Sequence, residues 1–388
     1  MNNQKNIPYA VVVGLCGHGL GLVRSLYRNG VPVIALEADD KLPGVQTRCA
    51  KVKMVPDINH EGLIDALIAL AHELKPAPKP VLFLTSDRMV ETIGAAVHRI
   101  VPYYRLSWAD AAARLLPFLG KDQLEQRCRE TGIQYPRSIL VKDFSRIHEV
   151  LSELQFPLIA KPTRPISAFK TLVASSLSDF IAAQDRINAS LPIIVQEFIP
   201  GDDRSIRFGA LYLKNGRILA RFEGRKLRSR PMGHTTVAIA ERNDSIHNLT
   251  SRFFAGLDLS GPVSLELKEK PDEHNSQWVI EPTVGRTDFW ADLCIADGVN
   301  LPMIEYLSQT EQPLPKIDQR NRFIWINGER DPAGLLWLLT HYPHYLIGRR
   351  IRGLYASISD PKPFIFAFVR YIASLPPRII SRAKKLMW

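Results

Sequence analysis

Short, continuous apolar runs alternate with amphipathic stretches through the first third of the chain. "YAVVVG" is followed by a glycine-studded turn, a helical pattern and a second apolar run, "VPVIALEADD". Strands apolar on both faces, joined by amphipathic helices, predict a parallel α/β sheet. "PVLFLTSDRMVETIGAAV" repeats the unit. The pattern changes near Asp122. "GKDQLEQRCRETGIQYPRSILV" predicts a helix ending near Gly132 and a strand after Pro136. Beyond it, "FPLIAKPTRPISAFKTLVASS", "LPIIVQEFIPGDDRSIRFGALYLKNGRILARFEGRKLRSRPMGHTTVA" and "LSGPVSLELKEKPDEHNSQWVIEPTVG" read mostly as strands and turns. Asn215-Gly216 is a hairpin turn signal. This middle region predicts antiparallel sheets with flanking helices, an α+β arrangement. After about Gln309 the chain becomes Pro-rich, then aromatic and basic as far as Trp388.

Charged residues interrupt these strands in a recurring way. Lys121 precedes a helix, and Lys161 follows the apolar run "PLIA". Gln196 and Glu197 end "PIIVQE", with Phe198 next and Asp203 beyond a Pro-Gly turn. Lys226 is read in a basic loop, Glu266 in "VSLELK", and Glu281 at the end of the strand "WVIEP". Each alone has an ordinary reading as a solvated or ion-paired strand-end charge. An unpartnered carboxylate is costly to bury. Together they are the parts for a nucleotide triphosphate with its metal: lysines neutralise phosphates, and hard carboxylate oxygens hold Mg²⁺ between them.

The N-terminal turn offers a different site. Gly17, Gly19 and Gly21 are read in the first turn, and Glu37 ends the second strand. That combination suggests a dinucleotide fingerprint, imperfect because Leu22 stands at its last place. A nicotinamide-dependent oxidoreductase is the alternative it supports. Ser86 or Asp87 caps the helix after the third apolar run, or Asp87 faces a ligand at the carboxyl end of its strand.

The ordered lysines and carboxylates resemble those of the ATP-grasp superfamily over residues 11–306. The resemblance implies a Rossmann-like pre-ATP-grasp domain (1–115), an ATP-grasp domain (116–309, subdomains 116–195 and 196–309) and a basic helical C-terminal extension (310–388). It implies ATP with Mg²⁺, or Mn²⁺, as cofactors. Lys121, Lys161 and Lys170 would hold phosphates. Gln196, Glu197 and Phe198 would meet the adenine edge, partly through backbone groups, and Asp203 the ribose. Lys226 would lie near the terminal phosphates, and Glu266, Glu281 and Thr283 would hold the metal. Arg286 would hold an acyl phosphate or carboxylate, or pair structurally with Asp288. "EPTVGRTDFW" is most similar to D-aspartate ligases and related carboxylate–amine ligases. Thr283 stands where such enzymes carry Asn, and "KPTRPISAFKTLVAS" lacks their usual glycines, with Ser167 and Lys170 as substitutes. These departures keep a non-catalytic ATP-binding protein in view. Otherwise the implied chemistry is phosphoryl transfer to a carboxylate, then attack by an amine.

Composition changes the picture in two ways. The chain has 388 residues, 46% hydrophobic and 23% charged, as in ordinary globular proteins. Its four cysteines, Cys16, Cys49, Cys128 and Cys294, are widely spaced, which argues for reduced thiols and a cytoplasmic setting. No signal peptide or spanning helix is expected. The formal charge of +11 concentrates toward the C-terminus, where Arg349, Arg350, Arg352, Lys362, Arg370, Arg378, Arg382, Lys384 and Lys385 mix with aromatics. That mixture allows peripheral contact with an anionic membrane, at the inner face of the cytoplasmic membrane, or simple packing on the core. The expected partners are an amino acid and a carboxylate- or amine-bearing acceptor such as a cell-envelope saccharide or peptidoglycan-type precursor. Nucleic acid is not expected, and a homodimer is left open.

Overall fold

A computed structural model describes residues 7–74, 78–120, 122–163, 171–271 and 276–374. The first apolar runs form a parallel sheet of β1 (Ala10–Val13), β2 (Val33–Glu37), β3 (Lys51–Met54) and β4 (Val81–Leu84), in the order β3-β2-β1-β4. β1 is buried on both faces because alternate residues serve different layers. Val11 and Val13 pack with Leu63, Leu67 and Val90 of the helices Glu61–Leu74 and Asp87–Ala95. Ala10 and Val12 pack with Leu22, Val23 and Leu26 of the helix Gly17–Arg28.

The glycines of the first turn have a packing role. Gly14, at φ +90°, makes the turn, and Gly17, Gly19 and Gly21 lie inside the helix rather than in the loop. A Cβ at Gly19 would sit 1.9 Å from the Gly14 carbonyl oxygen, and one at Gly17 would strike Leu354. Glu37 is 2% exposed. Its carboxylate accepts the N–H groups of Leu15 (2.6 Å), Ala38 (2.7 Å) and Asp39 (3.1 Å). The acid that would meet a ribose is therefore spent on its own turn, and the dinucleotide expectation is corrected.

The helix Asp122–Thr131 leads, as expected, into a small antiparallel sheet. Its strands are β5 (Ser138–Val141), β6 (Leu158–Pro162), β7 (Leu172–Ala174) and β8 (Ile193–Glu197), ordered β5-β8-β6-β7. A larger sheet follows: β9 (Ile206–Lys214), β10 (Arg217–Ser229), β11 (Thr235–Ala240), β12 (Gly261–Glu269), β13 (Gln277–Val284), β14 (Phe323–Ile326) and β15 (Arg350–Gly353). Its order is β13-β12-β9-β10-β11-β14-β15. The β9–β10 hairpin turns at Asn215 (φ 50°) and Gly216 (φ 73°), as the sequence predicts.

β14 and β15 lie beyond the expected boundary at residue 309, yet they complete this sheet, pairing in parallel with each other. Arg352 holds Asp292 at 2.6 Å, and buried Asp360 holds Arg24 of the first helix at 2.8 Å. Thr47 also donates to Asp360 (2.7 Å). The region read as an appendage thus contributes both to the large sheet and to the N-terminal unit. The helix Lys362–Ser374 leaves an apolar surface open, with Phe364, Ile365, Phe368 and Val369 exposed.

Candidate active site

A cavity of about 1280 Å³ lies between the small sheet and the large one, walled also by Asp87 at the first helical turn after β4. Glu266 of β12 and Glu281 of β13 face each other across an antiparallel pair. Glu281 does not end its strand: β13 continues through Val284. The register explains how the pair forms. Leu267 opposes Val279, but Glu266 opposes Glu281, so Ile280 is an extra, bulged residue. Without that bulge Glu281 would stand opposite Leu265 and on the other face of the sheet. Like charges placed opposite each other are destabilising unless a cation joins them.

Lys226 is that cation among the described residues. It is 2% exposed, and its Nζ lies 3.3 Å from Glu266 Oε2. The sequence reading put Lys226 in a basic loop. It sits instead within β10, where the basic run Arg225-Lys226-Leu227-Arg228 is paid out to acids far along the chain: Glu241, Glu266 and Asp331. Burial works against the Lys226 ammonium, but Glu266, Glu281 and Asp203 outweigh it and hold its pKa above the ordinary value. Burial raises the Glu266 pKa, and Glu281 and Asp288 add to the rise against the pull of Lys226. At this point one lysine faces two carboxylates.

Two facing carboxylates in such surroundings suit a hard divalent cation. Mg²⁺ is commonly held by one or two carboxylates with substrate phosphates and water completing its shell, so the donor set present fits the group. Thr283 is differently engaged. It is 8% exposed, and its hydroxyl donates to Asp288 Oδ2 at 3.1 Å, which Ser264 also reaches at 3.2 Å. Asp288, which the sequence reading treats only as a partner for Arg286, adds its negative charge near Glu266.

The residues expected at the phosphates and the adenine lie on the opposite wall. Lys161 of β6 donates to the buried Gln196 side chain of β8 at 3.2 Å, and Gln196 donates in turn to Ser138 (2.8 Å). The Glu197 and Phe198 N–H groups donate to the Arg137 and Pro157 carbonyls, so neither amide is open to a base. The Phe198 ring packs under Lys268, 4.4 Å from its centroid. Asp203 accepts the Ser229 N–H at 2.6 Å and still lines the cavity. Lys121 and Lys170, with Ser167, lie outside the described residues.

Arg286 closes the end nearest the N-terminal unit. It is buried, and its Nε donates to Asp87 Oδ1 at 2.6 Å; Asp87, not Asp288, is its ion-pair partner. Burial opposes the guanidinium charge, and Asp87 more than offsets this, holding the pKa above its ordinary value. Ser86, not Asp87, caps the helix Asp87–Ala95 by accepting the Met89 N–H. His18 lies beside the pair, its Nε2 2.8 Å from the Thr287 hydroxyl. Burial, reinforced by Arg286, pushes the His18 pKa down to about 3, so its ring is neutral near pH 7. No sequence signal links Asp87 or His18 to Arg286, because the N-terminal sheet must first dock on the larger one. The arrangement can bind polyphosphate and a divalent cation, and can present a fixed guanidinium to an oxyanion.

No family model matches the chain. In sequence it is similar to the D-aspartate ligase of Enterococcus faecium (strain Aus0004), 22% identical over 325 residues, which cover 78% of this chain and 76% of that one. In structure it is similar to N5-carboxyaminoimidazole synthetase from Staphylococcus aureus complexed with ADP, with a TM-score of 0.64, 14% identity and 82% of each chain covered. It is also similar to the L-amino acid ligase from Bacillus licheniformis, with a TM-score of 0.62, 15% identity, and 81% and 78% of the two chains covered. The fold is of the ATP-grasp type. The resemblance to ATP-grasp carboxylate–amine ligases read from the sequence is borne out.

Proposed function

We propose that the chain is an ATP- and Mg²⁺-dependent ligase that joins a carboxylate to an amine through an acyl phosphate. The observation that carries this reading is the bulge-made pair Glu266 and Glu281, facing buried Lys226 across a cavity walled by both sheets. In this reading the parallel unit of residues 1–115 serves as the pre-ATP-grasp domain. Glu266 and Glu281 would hold Mg²⁺, which would supply charge neutralisation at the transferring phosphoryl group. Lys161 binds phosphate from the small sheet, and Lys226 does so from the large one. Asp203 orients the ribose, and Phe198 with Gln196 lines the base. Arg286, fixed by Asp87, holds the substrate carboxylate as it is phosphorylated and the acyl phosphate that results. A positioned guanidinium stabilises charge as it develops, because it needs no reorganisation at the moment of reaction. Lys121 and Lys170 are proposed as further phosphate ligands on the resemblance alone.

The relative named D-aspartate ligase supports an amino acid as one substrate. The exposed apolar face of the helix Lys362–Ser374, beside Arg370 and Lys362, supports an acceptor met at an anionic membrane surface, such as a cell-envelope precursor. No helix among the described residues is long and apolar enough to cross a membrane. The test of the activity is ADP formation from ATP and Mg²⁺ across a panel of amino acids and uronic acids. Turnover that depends on one amine and one carboxylate is expected. ATP binding without turnover on any pair would leave a non-catalytic nucleotide-binding protein.

A further inference from the structure

The first glycine turn has no dinucleotide role once Glu37 is committed to its own loop, yet it carries a histidine. Gly14 and Gly19 both press on Thr85, just past β4. A Cβ at Gly14 would lie 2.3 Å from Thr85 Oγ1, and one at Gly19 would lie 3.2 Å from Thr85 Cγ2. Bare backbone lets the first turn of the helix Gly17–Arg28 come this close, and His18 enters between Thr85 and Thr287.

The ring is 3% exposed and touches both neighbours. Its Nδ1 lies 3.4 Å from the Thr85 carbonyl oxygen, and its Nε2 lies 2.8 Å from the Thr287 hydroxyl. A carbonyl oxygen only accepts, so Nδ1 carries the proton. Nε2 is then left to accept from the Thr287 hydroxyl.

Thr287 and Phe289 in turn bear on Arg286. Arg286 Nη1 donates to the Thr287 carbonyl at 3.0 Å. The guanidinium lies over the Phe289 ring, 5.4 Å from its centroid, and His18 meets the same ring edge-on at 5.8 Å between centroids. Asp87, which takes Arg286 Nε, stands in the same turn as Thr85. His18 therefore joins the two segments that grip Arg286, the turn after β4 and the run Thr287–Phe289. Arg286 lines the cavity, and among the described residues its Nη2 makes no hydrogen bond.

We propose that His18 is a positioning residue for Arg286: by accepting from Thr287 and bracing Phe289, it sets where the guanidinium stands in the cavity. This rests on the ligase reading above, in which Arg286 holds the substrate carboxylate and the acyl phosphate. A misplacement of about 1 Å at such a group can cost on the order of a hundredfold in rate. The turn that looks like a nucleotide site in the sequence serves the reaction through an arginine instead.

The test has two arms, both on the full chain. Phenylglyoxal labelling of arginines, resolved by peptide mass spectrometry, reads how firmly Arg286 is held. Arg24 is the internal control, because it shares the helix of His18, is 1% exposed and is bound to Asp360. In His18→Leu, which keeps bulk and removes the acceptor, Arg286 should label about tenfold faster, the loss of one buried hydrogen bond, with Arg24 unchanged. His18→Gln keeps an acceptor and should recover part of the protection. Thr287→Val removes the hydroxyl from the other side and should release Arg286 in the same way; it decides the matter if His18→Leu does not fold. In the kinetic arm, ADP formation is followed with the amine and carboxylate pair that turns over fastest. His18→Leu should lower kcat/KM for the carboxylate about tenfold to a hundredfold, while KM for ATP stays within about twofold. The same substitution added to Arg286→Lys should cost little further, since the two act through one group. Unchanged labelling of Arg286, or an equal gain at Arg24, overturns the proposal, as does an equal kinetic loss in both backgrounds. Absence of turnover by the unmodified protein sinks the ligase reading instead, and the labelling contrast still decides whether His18 holds Arg286.

Discussion

Glu37 and Glu281 look alike in the sequence, each an acid among β-branched or aliphatic strand residues. In the fold they are opposites. Glu37 is 2% exposed and takes three backbone N–H groups of its own turn. Glu281 is exposed on the cavity wall, and among the described residues its carboxylate accepts no hydrogen bond. A carboxylate satisfied by its own backbone is a structural part. One brought beside a second carboxylate and left open is a place for a cation. The contrast says that an acid at a strand marks a ligand site only when local amides do not use it first.

The comparison breaks or holds on what each acid does when removed. Glu281→Ala should lower turnover about a thousandfold, the several kcal/mol of transition-state stabilisation a metal supplies, with the melting temperature nearly unchanged. ADP production at the normal rate in saturating Mg²⁺ would remove Glu281 from the metal site. Glu37→Ala should do the reverse. It strands buried amides at about 1–3 kcal/mol each, so denaturant unfolding should show a loss of more than about 3 kcal/mol while the folded fraction binds ATP normally. A selective loss of nucleotide affinity would reopen the dinucleotide reading.

Glu305 sharpens the contrast as a third case, buried with a single donor, Ser107 Oγ at 2.6 Å. Burial drives its pKa up to about 8. With the folded pKa raised, the protein is most favoured below the unfolded value near 4.5 and loses that contribution as pH rises toward 8. Glu305→Gln keeps the acceptor for Ser107 and removes the titration. It should therefore stabilise the protein at pH 8, by about 4 kcal/mol, and not at pH 4.5. Thermal melts at the two pH values decide it; equal effects at both would mean that Glu305 is ionised in the fold.

The same question can be put to apolar groups. Phe364 and Phe368 are 47% and 55% exposed, an unsatisfied surface of another kind. Phe364→Gln with Phe368→Gln should weaken co-sedimentation with anionic liposomes about tenfold or less, leaving the salt-sensitive part carried by Lys and Arg. Substitution is the right tool here, because truncation near Gln309 would also remove β14 and β15. Unchanged binding would return this helix face to packing.

Much of this was legible along the chain. The strand–helix units, the Asn215-Gly216 hairpin, the helix from Asp122 and the order of lysines and acids follow from local pattern. What escaped depends on register and docking. The bulge at Ile280 exists only in relation to β12, so Glu281 read as a strand end. Lys226 read as a loop residue because its basic neighbours look solvated until Glu241, Glu266 and Asp331 arrive from distant segments. Asp87 meets Arg286 across 199 residues, and no periodicity encodes that. Strands β14 and β15, the last two of the large sheet on one side, are short and follow a Pro-rich stretch, so composition speaks for a tail.

The bond between Arg24 and Asp360 also sets an order of events during synthesis. The partners are 336 positions apart, and each side chain is 1% exposed. At ~5–20 residues per second, a nascent chain carries Arg24 for on the order of tens of seconds before Asp360 is made. Until then the first helix holds a cation with no acid to meet it, and its docking surface stays unfinished. The N-terminal unit is thus completed only after Asp360 is made, and a chain that stops before Asp360 leaves buried Arg24 without its acid.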